Sequence, residues 1–111
     1  MRLFLSIALL LSVLTALAPA QTSTGTLRGR ITDPSGAVIP KATVTANTAE
    51  GRSVIVLTNS QGVYEFKGLP AGSYTVTAVA KGFATDQEDN VNIAEGQAQQ
   101  LDIALQIEVE Q

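Results

Sequence analysis

The chain has 111 residues, a formal net charge of −3, and no cysteine, histidine or tryptophan. That length holds one small domain, and mild acidity without any lysine or arginine cluster argues against nucleic acid and anionic membrane surfaces as partners. Lacking histidine and cysteine, the chain can build no Ser-His or Cys-His nucleophile and no zinc site of the common nitrogen or sulfur type, which removes most hydrolase chemistry.

Residues 1–20 read as a cleaved secretory signal peptide. Arg2 supplies a positive start, residues 3–17 are an almost unbroken apolar run, and Ala18-Pro19-Ala20 has the A-x-A cleavage pattern. The run is shorter than the roughly 20 apolar residues that span a bilayer, so no stable membrane span is expected in the mature chain. No cysteine is present to carry a lipid. Cleavage after Ala20 leaves about 91 residues from Gln21 onward and, with Arg2 gone, a net charge of about −4. A domain of that size buries only about 60–65% of its unfolded surface. Without disulfides it depends on packing and sheet hydrogen bonds, which suits a bacterial envelope protein better than a small animal extracellular module.

Residues 21–24 are small and polar and read as a flexible lead, 25–108 as the folded domain, and 109–111 as a tail. In "TLRGRIT", residues 26–32, Leu27, Gly29 and Ile31 face one way and Arg28 and Arg30 the other, the pattern of a half-buried strand. "DPSG" is a turn, with Pro34 presetting its φ, Gly36 free to take positive φ and Asp33 capping locally. "KATVTAN" aligns Ala42, Val44 and Ala46 on one face of a second strand. "SVIVLT" is a third strand whose four consecutive apolar residues imply either partial burial on both faces or a register that alternation does not fix. After an "NSQG" loop, Tyr64 and Phe66 share a face, residues 68–72 turn, and Tyr74, Val76 and Ala78 share a face on the returning strand. Gly82 in Lys81-Gly82-Phe83 marks a backbone conformation closed to most residues. "ATDQEDN" reads as an acidic surface loop, 91–93 as a short strand, and "AQQLDIALQIEVE" as one last strand with Leu101, Ile103, Leu105 and Ile107 inward. The count is seven strands and no helix, an all-β sandwich.

Beyond the signal segment there are four aromatic residues: Tyr64, Phe66, Tyr74 and Phe83. Each one buried removes roughly 150–250 Å² from water, a few kcal/mol apiece at about 25 cal/mol per Å². Against a net stability of roughly 5–15 kcal/mol, a small disulfide-free sandwich needs these rings inside. Sugar-stacking surfaces are then absent. The acidic residues Asp86, Glu88 and Asp89 with Asn90 offer oxygen ligands of the kind calcium takes, but their spacing is not that of an EF-hand loop, and a solvated loop is the expectation.

"GRITDPSGAVIPKATVT" and "TNSQGVYEFKGLPAGSYTVTAVAKGF" together resemble the carboxypeptidase regulatory-like domain family. The matching positions are Asp33 and Gly36; Pro40, Ala42 and Val44; Gly62, Tyr64 and Phe66; Leu69, Pro70, Gly72, Tyr74 and Val76; and Gly82 and Phe83. The resemblance implies a prealbumin-like (transthyretin-like) Greek-key β-sandwich, also classed among carbohydrate-binding-like folds. The arrangement looks most like the domain that follows the signal peptide in TonB-dependent, Oar-like outer-membrane receptors. Hydroxyisourate hydrolases of similar fold use histidines and a Tyr-Arg-Gly-Ser ending, both missing here. The expectation is therefore a non-enzymatic, exported interaction module of the bacterial envelope: periplasmic, outer-membrane associated or secreted. Its partner would be an envelope protein or receptor component, with carbohydrate as the alternative. No catalytic, cofactor or metal residues are expected.

Overall fold

The computed structural model describes residues 23–109. The expected signal peptide, 1–20, lies outside them, as do residues 21 and 22 of the lead and 110 and 111 of the tail. Among the described residues the regular structure is all β: β1 (Thr24–Thr32), β2 (Thr43–Asn47), β3 (Ser53–Leu57), β4 (Val63–Pro70), β5 (Gly72–Val79), β6 (Asp86–Ile93), β7 (Ala98–Gln100) and β8 (Ile103–Ala104). They form two four-stranded sheets. In the first, β1 lies between antiparallel β4 and the parallel pair β7 and β8. In the second, all antiparallel, the order is β3-β2-β5-β6.

Period-two alternation delivers one core between the sheets. Leu27, Ile31, Tyr64, Phe66 and Leu69 come from β1 and β4; Val44, Ala46, Tyr74, Val76 and Ala78 come from β2 and β5. The rings of Tyr64 and Phe66 meet edge to face, with centroids 5.9 Å apart and planes at 70°, an arrangement that aromatic quadrupoles favour. One buried polar side chain serves the backbone. Thr58 Oγ1 donates to the Ile39 carbonyl at 2.7 Å and accepts the Ala42 N–H at 2.8 Å. Thr58→Val keeps the shape but orphans both groups, and a loss of about 2 kcal/mol is expected in urea unfolding.

The structure has eight strands rather than seven because the last expected strand is broken. Its two halves keep one register: Arg28 pairs with Gln100 before the break and Ile31 with Ile103 after it. At the break the Leu101 carbonyl accepts the Tyr64 hydroxyl proton. The Arg30 N–H turns instead to the Asp102 carboxylate, at 2.9 Å. Ile107, expected inward, is 63% exposed, held by an isolated bridge to Phe83.

The acidic run expected as a loop is the first half of β6. Tyr74 pairs with Val91 but Val76 with Glu88, so β6 carries one extra residue there, and Asn90 takes φ 57°. This bulge puts the inward pairs 86/88 and 91/93 out of phase, which hides the strand from an alternation reading. The same device extends β4 through the expected turn. Leu27 pairs with Phe66 but Gly25 with Leu69, and Gly68 at φ 71° absorbs the extra residue.

Within β6, Asp86 and Glu88 sit opposite the core residues Ala78 and Val76 and so face inward. The Glu88 carboxyl is pushed above its ordinary value, first by a hydrogen bond shared with Asp86, then by the Asp86 charge and by burial. A carboxyl raised on folding adds stability when protonated and loses that contribution as pH rises through its folded pKa. Glu88→Gln is therefore expected to raise the melting temperature at neutral pH. The gain should vanish near pH 4, where both forms are neutral, and paired thermal melts at the two pH values check it.

Candidate functional site

Tyr64, Phe66 and Tyr74 do not form a ligand platform. All three are at most 4% exposed. Both tyrosine hydroxyls donate to backbone carbonyls, Tyr64 to Leu101 and Tyr74 to Pro70 at 2.6 Å. Burial pushes the Tyr64 phenol well above its ordinary range, with the charges of Asp102 and Glu88 adding to the shift. The acidic cluster is divided by its strand: Asp86 and Glu88 point inward, whereas Asp89 accepts from Gln87 at 3.0 Å and Thr75 at 3.4 Å. Asp33 is a turn residue. Its carboxylate accepts the Ser35 hydroxyl at 2.6 Å and the Ser35 and Ala37 N–H groups at 2.8 and 3.0 Å. The Ser35 hydroxyl is the main reason its carboxyl lies below the ordinary value.

What the fold leaves available among the described residues is a sheet edge. Edge strands present unpaired N–H and C=O groups, and proteins blunt them with bulges, charges, proline or brevity. Three of the four edges here are blunted. β4 carries the Gly68 bulge, the exposed Lys67 and Pro70. β6 carries the Asn90 bulge and two inward carboxylates. β7 and β8 are two short pieces with a break between them.

β3 has none of these devices. Its register with β2 is regular from Ser53 to Leu57, and the strand contains neither charge nor proline. The Thr48 N–H donates to the Arg52 carbonyl and the Thr58 N–H to the Ala42 carbonyl, each at 2.9 Å. Antiparallel partners alternate between bonded and non-bonded pairs. Val56 with Val44 and Val54 with Ala46 therefore exchange the ladder bonds. The N–H and C=O groups of Ser53, Ile55 and Leu57 point the other way, to the open edge.

The side chains on this edge are apolar and exposed. Ile55 and Leu57 are each 62% exposed on the outer face, where Leu57, Thr43 and Val79 make one cross-strand row and Ile55, Thr45 and Thr77 the next. The four-residue apolar run expected to be partly buried on both faces is thus an edge strand. Only Val56, on the core side, is packed against the core. A cleft of about 590 Å³ opens at the start of β3, lined by Arg52, Val54 and residues 70–74 among others. Tyr74 is part of that lining. Burial raises its phenol pKa, the Arg52 guanidinium opposes the rise, and the Glu50 carboxylate adds to it.

The match of residues 26–106 to the carboxypeptidase regulatory-like domain covers most of the chain. The chain belongs to that family. No curated protein matches the sequence. Among solved structures, this carboxypeptidase regulatory-like domain is similar to a Bacteroides uniformis protein proposed to bind carbohydrate, with a TM-score of 0.63 and 12% identity. The alignment covers 75% of this chain and 41% of the other. A chain of a type II cohesin–X–dockerin complex from Acetivibrio cellulolyticus gives a TM-score of 0.55 and 26% identity, over 73% of this chain and 56% of that one. Catechol 1,2-dioxygenase from Acinetobacter radioresistens gives a TM-score of 0.57 and 12% identity, over 81% and 54%. The carboxypeptidase regulatory-like domain thus spans well under two thirds of each of these chains, and at 12% identity the likeness concerns the fold alone.

Proposed function

We propose that this domain is a non-catalytic interaction module, exported to the bacterial envelope, that takes up an extended segment of a protein partner beside β3. One observation carries the reading: β3 is a regular, uncharged edge with its Ser53, Ile55 and Leu57 backbone groups unpaired by β2. In strand addition the main-chain bonds supply affinity and pockets for alternate side chains supply selectivity. A cleft lined in part by Val54 and Tyr74 opens at the start of the same strand. The likeness to a chain of a cohesin–X–dockerin complex supports a protein partner. Carbohydrate finds less support, because both tyrosine hydroxyls are engaged and three of the four rings among the described residues are buried. The prealbumin-like connectivity, the cleaved leader and the kinship with the first domain of TonB-dependent receptors belong to the same proposal.

The test is a selection of binders from a displayed peptide library, followed by amide hydrogen exchange on the complex. Newly protected amides at Ser53, Ile55 and Leu57 are expected. Ligands that protect only other surfaces would remove the reading.

A further inference from the structure

We infer that the strand taken up by β3 is the β3 of a second copy, giving a two-fold dimer with one continuous eight-stranded sheet. The inference rests on the strand-addition reading and adds the identity of the partner.

The strand is self-complementary about its centre. Val54-Ile55-Val56 reads the same in both directions, and a two-fold axis needs a segment that suits its own reverse. With the axis at Ile55, Ile55 faces the partner's Ile55, Ser53 faces the partner's Leu57, and Val54 faces the partner's Val56. The residues whose N–H and C=O groups point outward are 53, 55 and 57, so the first two kinds of pair fall on bonded positions, and about six ladder bonds form. Val54, 43% exposed on the core side, gains an apolar neighbour at the closer, non-bonded spacing. No like charges meet. β3 carries none, and Arg52 at its start lies opposite the partner's Thr58. The regular register matters as well, since a bulge on this strand would throw one half of the pairing out of phase.

A pair of five-residue strands buries less than the roughly 1,200 Å² at which stable interfaces begin. The dimer is accordingly reversible, with a dissociation constant in the micromolar range or weaker. Both copies are acidic overall, so added salt tightens it by screening their repulsion.

The absence of native cysteine allows a direct test, because a single introduced thiol can bridge only between copies. The chain is expressed with its own N-terminus, so that any processing is retained. Ile55→Cys should oxidise to a covalent dimer, since bonded partners have Cα atoms about 5.5 Å apart, within disulfide reach. Val79→Cys, exposed on the same face but two strands from the edge, should stay monomeric under the same oxidation. Sedimentation equilibrium on the cysteine-free chain should show monomer and dimer, and Ile55→Lys should abolish the dimer with its circular dichroism spectrum unchanged. A chain that stays monomeric at millimolar concentration, or that cross-links through Val79→Cys and not through Ile55→Cys, overturns self-pairing. If selected peptides still protect Ser53, Ile55 and Leu57, the strand-addition reading stands without it. If they do not, both fall.

Discussion

A Gly29→Ala variant is expected to lose the native fold, the largest effect of any single methyl group added to this domain. A Cβ on Gly29 would sit 1.8 Å from the Leu101 carbonyl oxygen, a backbone atom, and 2.9 Å from the Tyr64 hydroxyl. Glycine is needed here for space. Tyr64 pairs with Gly29 across the first sheet and reaches over it to the Leu101 carbonyl, as an aromatic ring covers a cross-strand glycine in curved sheets. The added methyl pushes residues 101–102 away from β1. That breaks the Tyr64 hydrogen bond and the Asp102 contact to the Arg30 N–H, and it separates the last strands from the sheet. Losses above about 4 kcal/mol arise by such mechanisms and take most of the stability of a domain this size. Far-ultraviolet circular dichroism and urea titration would register it. Gly36→Ala is the control: its φ of 91° is strained for alanine, but the Cβ meets nothing within 4 Å, so the loss stays near 1 kcal/mol.

Phe66→Ala is expected to cost about 3–5 kcal/mol and lower the melting temperature by at least about 12 °C. Phe66 is 2% exposed and in edge-to-face contact with Tyr64, so truncation forfeits both the buried area and a ring contact. Its position limits relaxation, because the Gly68 bulge fixes Phe66 and Leu69 in the same core face three residues apart. Ile55→Ala makes the contrast. At 62% exposure it should change stability by less than about 0.5 kcal/mol. A large effect at Phe66 beside none at Ile55 would separate the residues that hold the sandwich from those that the edge offers to a partner. Equal effects would mean that Ile55 packs within the monomer.

Much of the core was legible from spacing alone. Leu27 and Ile31, then Tyr64 and Phe66, then Tyr74, Val76 and Ala78 recur every second or fourth residue and are all buried. The turn at Asp33 and the positive φ of Gly36 and Gly82 also followed from residue type. Three features did not. The bulge at Asn90 shifts β6 by one residue, so its inward positions no longer alternate along the sequence. The break at residues 101–102 depends on the Leu101 carbonyl meeting a hydroxyl 37 positions away. The apolar run 54–57 read as partly buried on both faces because apolarity states what a side chain prefers, whereas exposure depends on whether the sheet supplies another strand.

That division has one physical origin. An all-β domain with Tyr64, Phe66 and Tyr74 inside was readable before any coordinates, because alternation and turn chemistry act between residues a few positions apart and need no knowledge of the rest. Which strands end the two sheets emerges from the folded arrangement, since strand order is set by pairings such as Val44 with Val56 and Tyr74 with Val91, between residues 12 and 17 positions apart. The open edge at β3 is a product of that order.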